Sequence, residues 1–141
     1  MSSKVTKKIT SCYCINLRRA ANSVTSYYDS VLESLGITIT QYSLLSSLKK
    51  LGNCTVSDLA IHVGLERTTV VRTLKPLFTK KLIEDISEEG QRNRNLQLTK
   101  AGYEILGQAK PLWENAQKKL EEDIGIDEMD FLVRIAAKLA K

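Results

Sequence analysis

The stretch from Thr55 to Leu65 constrains this chain most, because it cannot fold alone. Its apolar set, Leu59, Ala60 and Val63, is too small to support a helix that does not pack on a neighbour. Gly64 permits a tight turn, and a longer helical pattern begins at about Glu66 and runs through Arg72 and Leu74 to Phe78. Pro76 is a misfit there, since it removes a backbone donor and crowds the preceding turn. A local kink is expected, not the helix end, because Leu74, Leu77 and Phe78 keep the apolar spacing. A short and a longer helix joined at a glycine form a helix-turn-helix, whose second helix enters a major groove.

The flanks extend this unit. Leu17, Ala20, Ala21, Val24, Tyr28, Val31, Leu32 and Leu35 recur at spacings of three and four, which predicts one helix from Ile9 to Leu35 ended by Gly36. A second helix is predicted from a Thr40 cap to Leu51, with Gly52-Asn53 breaking it. Leu82–Ile86 and Leu96–Leu98 read as strands. The polar segment between them, with Arg92 and Arg94 near its far end, looks like the loop of a β-hairpin wing. Thr99 caps a long pattern from Ala101 to Asp123, and after Gly125 a last helix runs from Asp127 to about Ala140.

The expected fold is therefore mainly α with a small β-hairpin wing, a winged helix-turn-helix flanked by long helices. The terminal helices carry more apolar stripe than a central module of about 60 residues can cover. A second copy of the chain, related by a two-fold axis, would bury the excess. Folding back onto the same subunit is the alternative. One domain, 1–141, is expected, with dimerisation helices at about 9–35 and 101–141 and the winged helix-turn-helix at about 40–99.

Composition narrows the function. With 141 residues, 43% hydrophobic and 26% charged, the chain can build a core without a metal or disulfide staple. Three cysteines and one histidine, His62, leave little for nucleophilic or metal-assisted catalysis. No Gly-rich phosphate loop, dinucleotide fingerprint or zincin motif occurs, so neither an enzyme nor a cofactor is expected. The net charge of +5 suits an anionic partner, and the excess lies in residues 1–50, which hold seven Lys/Arg against two Asp/Glu. The basic start, residues 1–8, has no apolar stretch after it and does not read as a signal peptide. No apolar run approaches the roughly 20 residues a membrane span needs, so a cytoplasmic location is expected.

The order of these elements resembles the MarR family of transcription regulators. The carriers are Leu35-Gly36-Ile37-Thr38-Ile39-Thr40-Gln41-Tyr42-Ser43-Leu44-Leu45, Thr55-Val56-Ser57-Asp58-Leu59-Ala60, Arg67-Thr68-Thr69-Val70-Val71-Arg72-Thr73-Leu74 and Leu96-Gln97-Leu98-Thr99-Lys100-Ala101-Gly102. Together, in this order and spacing, they carry a resemblance that covers nearly the whole chain. The resemblance implies a homodimeric repressor that binds a two-fold-symmetric site on double-stranded DNA, with affinity altered by a small-molecule effector or by thiol oxidation. A winged-helix protein-interaction module without specific DNA binding is the alternative. One departure stands out. The family's wing commonly carries an acid two residues before a DNA-reaching arginine; here Arg92 holds the arginine position and Gly90 replaces the acid.

Within that frame Arg67, Thr68, Thr69, Arg72 and Lys75 are the expected DNA contacts, on the polar side left when Val70, Val71 and Leu74 turn inward. Arg92 and Arg94 are the wing contacts. Cys14 matches the peroxide-sensing cysteine of the organic-hydroperoxide branch, and Tyr28 one of two tyrosines that bond it there; Ile39 stands where the second would be. Cys14 and Tyr28 form the candidate redox or effector site, and about 21 Å of helix between them requires the contact to cross to the partner subunit. A soft-metal site built from Cys54, His62 and a first-helix cysteine fits no known ligand spacing.

Overall fold

The computed structural model describes residues 9–140; the basic segment 1–8 and Lys141 lie outside the described residues. The chain runs α1 (Tyr13–Leu32), a single 3-10 turn (Glu33–Leu35), α2 (Ile39–Leu51), β1 (Cys54–Thr55), α3 (Val56–Val63), α4 (Arg67–Thr79), β2 (Ile83–Asp85), β3 (Asn95–Leu98), α5 (Lys100–Ile124) and α6 (Ile126–Leu139).

Local side-chain chemistry moves two predicted boundaries. The first helix starts at Tyr13, not Ile9, because the Thr10 hydroxyl accepts the Cys12 amide at 3.1 Å and the Asn16 amide group donates to the Thr10 carbonyl at 2.6 Å. Such bonds compete with the helix ladder. The second helix is capped by Thr38, not Thr40. Thr38 accepts the Gln41 amide while the Gln41 side chain accepts the Thr38 amide, a reciprocal box. Asp29 on α1 accepts the Ile39 amide at 2.8 Å, which ties the start of α2 to α1.

The helix-turn-helix forms as the residues require. Thr55 caps α3, and Gly64 ends it in the left-handed conformation at φ 71°. Helix α4 continues past Pro76 to Thr79, held by buried Leu74 and Leu77, with the proline on the exposed side. Val71 departs from expectation: it is 40% exposed and does not face the core. The interior is built by Leu32, Leu44, Leu45, Leu48, Leu59, Val70, Leu77 and Leu96, all essentially inaccessible.

The wing belongs to a three-stranded antiparallel sheet ordered β1-β3-β2, with Cys54 opposite Leu96 and Ile83 opposite Leu98. Strand β1 was not expected, since two residues carry no period to read. Thr99 ties the start of α5 to the turn between α4 and β2: its hydroxyl donates to the Lys81 carbonyl at 2.7 Å and accepts the Gly102 amide at 3.1 Å.

The terminal helices are left half-clothed. In α1 only Tyr28 and Leu32 are buried, while Leu17 is 44% exposed. Helix α6 touches α5 yet has no buried residue, and Ile126, Phe131, Val133 and Leu139 are each more than half exposed. Packing within one subunit therefore leaves their apolar faces open.

Candidate nucleic-acid interface

A helix turns about 100° per residue, so Thr68, Val71, Arg72, Lys75 and Thr79 share one face of α4, opposite Val70, Leu74 and Leu77. All five are exposed. Arg67, also exposed, stands in the first turn. Among the described residues Arg67, Arg72 and Lys75 have no ion-pair partner, so their charges are unspent. Of the residues expected on this face, Thr69 departs: it is half-buried on the flank, and its carbonyl accepts the Thr73 hydroxyl at 2.8 Å. Val71 replaces it as the apolar member of the exposed face. Its methyls suit contact with a thymine methyl, and only tertiary packing could show that it points outward.

The wing splits the two arginines expected to act together. Arg92 is exposed at the loop with no hydrogen-bond or ion-pair partner among the described residues. Arg94 is engaged: its Nε donates to Asp85 Oδ2 at 2.7 Å and its Nη1 to the Gln91 carbonyl at 3.2 Å. Ser87, through its hydroxyl and amide, and the Arg94 guanidinium hold the Asp85 carboxyl below its ordinary range, so the pair is charged at neutral pH.

A cavity of about 780 Å³ lies where α2 and α3 meet α5. Tyr42 and Trp113 form one wall, stacked with ring centroids 6.0 Å apart, and Lys49, Lys50 and Lys110 line it with positive charge. Burial, and then the nearby Glu114, raise the Tyr42 phenol above its usual range. The size falls within the roughly 300–1,000 Å³ of small-molecule sites. Each of these residues reads in the sequence as core or solvated surface, and no local pattern announces the cavity.

The candidate redox pair is not assembled within one subunit. Cys14 is exposed near the start of α1. Tyr28 is buried, and its hydroxyl donates to Gln117 Oε1, joining α1 to α5. Burial, with a lesser contribution from Tyr27, raises its phenol. Cys54 is buried in β1, where burial and then Asp58 push its thiol up. His62 shares a 3.0 Å hydrogen bond with the Ser47 hydroxyl, and among the described residues no three His, Cys, Asp or Glu side chains converge on a metal position.

The arrangement defines a winged helix-turn-helix protein: a capped short helix, a glycine turn, a second helix with an exposed cationic face, and a hairpin beside it. The profile of the MarR family matches residues 37–89. The solved M. tuberculosis regulator MosR, in complex with DNA, is 30% identical and superposes over 92% of this chain and 98% of its own with a TM-score of 0.76. The repressor CouR, bound to a DNA duplex, is 25% identical over 92% of this chain and 93% of its own, with a TM-score of 0.81. The Escherichia coli repressor MprA is 30% identical over 114 residues, 79% of this chain, which spans 65% of that repressor's length. The chain belongs to the MarR family and is a transcriptional regulator. No helix among the described residues is long and apolar enough to cross a membrane.

Proposed function

We propose that the protein is a cytoplasmic homodimeric repressor, without enzymatic activity, that binds a two-fold-symmetric operator and releases it when a small effector binds. The observation that carries this reading is the exposed face of α4, where Arg72 and Lys75 stand beside Thr68 and Val71 without an ion-pair partner among the described residues. Arg67, Thr68, Val71, Arg72 and Lys75 enter the major groove, and Arg92 reaches from the wing. Arginine can bond guanine bidentately, while lysine suits phosphate. The complexes of MosR and CouR with DNA support the same use of the same fold.

The domain reading follows from the open terminal helices. Residues of about 9–35 and 101–141 pair with a second copy and set the distance between the two α4 helices. The cavity between α2, α3 and α5 is the effector site, because a ligand there touches both the helix-turn-helix and the long helix that leads to the dimer contact. An effector shifts the population only as far as it prefers one spacing over the other. Selection of bound duplexes from a random DNA pool tests the reading. A two-fold-symmetric consensus is the expected result, and a pool that never enriches would overturn it.

A further inference from the structure

The loop between β2 and β3, residues 86–94, is polar throughout except for Ile86, so no packed side chain fixes its shape. Hydrogen bonds do. Asp85 lies at the centre of them: Oδ1 accepts the Ser87 amide at 2.9 Å and Oδ2 accepts Arg94 Nε at 2.7 Å. Arg94 carries the link onward to the Gln91 carbonyl at 3.2 Å. Gln91 closes the tip, its amide donating to the Glu88 carbonyl and its side chain accepting the Glu88 amide, both at 3.1 Å. The Ser87 hydroxyl accepts the Asn95 amide at 2.6 Å on the returning strand. Arg92 is the next residue after this closed tip.

The tip also explains the residue at 90. Gly90 sits at φ 81°, with open space where a Cβ would stand. The restriction is therefore the backbone's: an L side chain, an acid included, is strained in that conformation. The carboxylate that bonds an arginine of this loop is instead Asp85, at the end of β2.

We propose that Asp85 is the positioning residue of the wing: it clamps Arg94 across the hairpin and so holds the loop that presents Arg92 to DNA. Arg94 is then a brace and not a DNA contact. The inference rests on the DNA-binding reading above, and it makes a prediction of unusual sign. Removing a negative charge from a protein that binds a polyanion ordinarily tightens binding. Here, neutralising Asp85 weakens it.

The test is the affinity and salt dependence of binding to the selected duplex for wild type, Asp85→Asn, Arg94→Gln and the double variant. Asp85→Asn and Arg94→Gln are each expected to weaken binding by roughly three- to tenfold, the modest range of exposed pairs present once in each subunit. The double variant is no weaker than either single one. Adding Arg92→Ala to Asp85→Asn costs less than Arg92→Ala costs in wild type. The proposal is overturned if Asp85→Asn binds as tightly as wild type or tighter, while Arg94→Gln alone lowers the salt slope. Amide exchange of the free protein reads the clamp without DNA. Asp85→Asn should speed exchange at Ser87, Gln91 and Asn95, and unchanged protection there would also overturn it. Failure of the DNA-binding reading looks different: wild type itself retains no duplex.

Discussion

Gly102 lies directly beneath the carbonyl of Leu82: a Cβ at that position would overlap the Leu82 oxygen, and Leu98 Cδ2 would stand 3.2 Å away. Helix α5 can begin where it does, under the wing, only because this residue has no side chain. Gly102→Ala should lower stability by about 1–3 kcal/mol, the usual cost of forcing a methyl into packed structure. Gly107, on the same helix with nothing within 4 Å, is the control. Gly107→Ala should be neutral or raise stability by about 0.5–1 kcal/mol. Thermal or denaturant unfolding of both variants checks the contrast, and equal behaviour would refute it.

Arg72 and Lys75 share a face of α4 but should fail differently. Arg72→Ala is expected to weaken operator binding by about 1–3 kcal/mol and to relax preference at one position per half-site. Lys75→Ala should weaken all sequences alike and flatten the salt dependence. Titrations against the selected duplex and a scrambled one at several salt concentrations separate the two. Wild-type behaviour in both variants would remove α4 from the interface.

The open apolar face of α6 predicts the oligomeric state. Leu132 is 43% exposed in a single subunit, next to Phe131 and Val133 at 59% and 67%. Wild type should sediment as a dimer at micromolar concentration. Leu132→Glu or Ile135→Glu should give monomer or aggregate, because a dimer contact would then bury an unpaired charge. A stable wild-type monomer in analytical ultracentrifugation would reject the dimer.

Thiol control leads to a selective result. Cys54 is shielded, and its raised thiol is a poor nucleophile at neutral pH, so oxidant chemistry falls to the exposed Cys12 and Cys14. The Tyr28 hydroxyl hydrogen goes to Gln117, so it does not activate Cys14 within one subunit. If the protein senses oxidants, stoichiometric organic hydroperoxide should reduce DNA binding by wild type and leave Cys14→Ser unaffected. Binding by wild type that ignores the oxidant would reject thiol control.

Much of this protein is legible locally. Gly36 and Gly64 take left-handed turns as the helix ends require, and Thr55 and Thr99 cap the helices that follow them. The spacing of Leu74 and Leu77 carried α4 past Pro76. These signals involve residues within a turn of each other, where sequence distance and spatial distance agree. The misplaced starts of α1 and α2 came from side chains that bond nearby backbone, through Thr10, Asn16 and Thr38, and such competition leaves no periodic trace.

The sequence by itself determined the winged helix-turn-helix order, the cationic second helix and the surplus of apolar stripe at both ends. Only the tertiary structure decided that Val71 faces outward and Thr69 does not, that Arg94 is spent on Asp85 while Arg92 is exposed, and that Tyr28 bonds Gln117. It alone opened the cavity between α2, α3 and α5. The physical reason is chain reversal. Periodicity and capping are set by backbone geometry over a few residues, whereas a partner or a wall supplied by a distant segment exists only once the chain has turned back and packed.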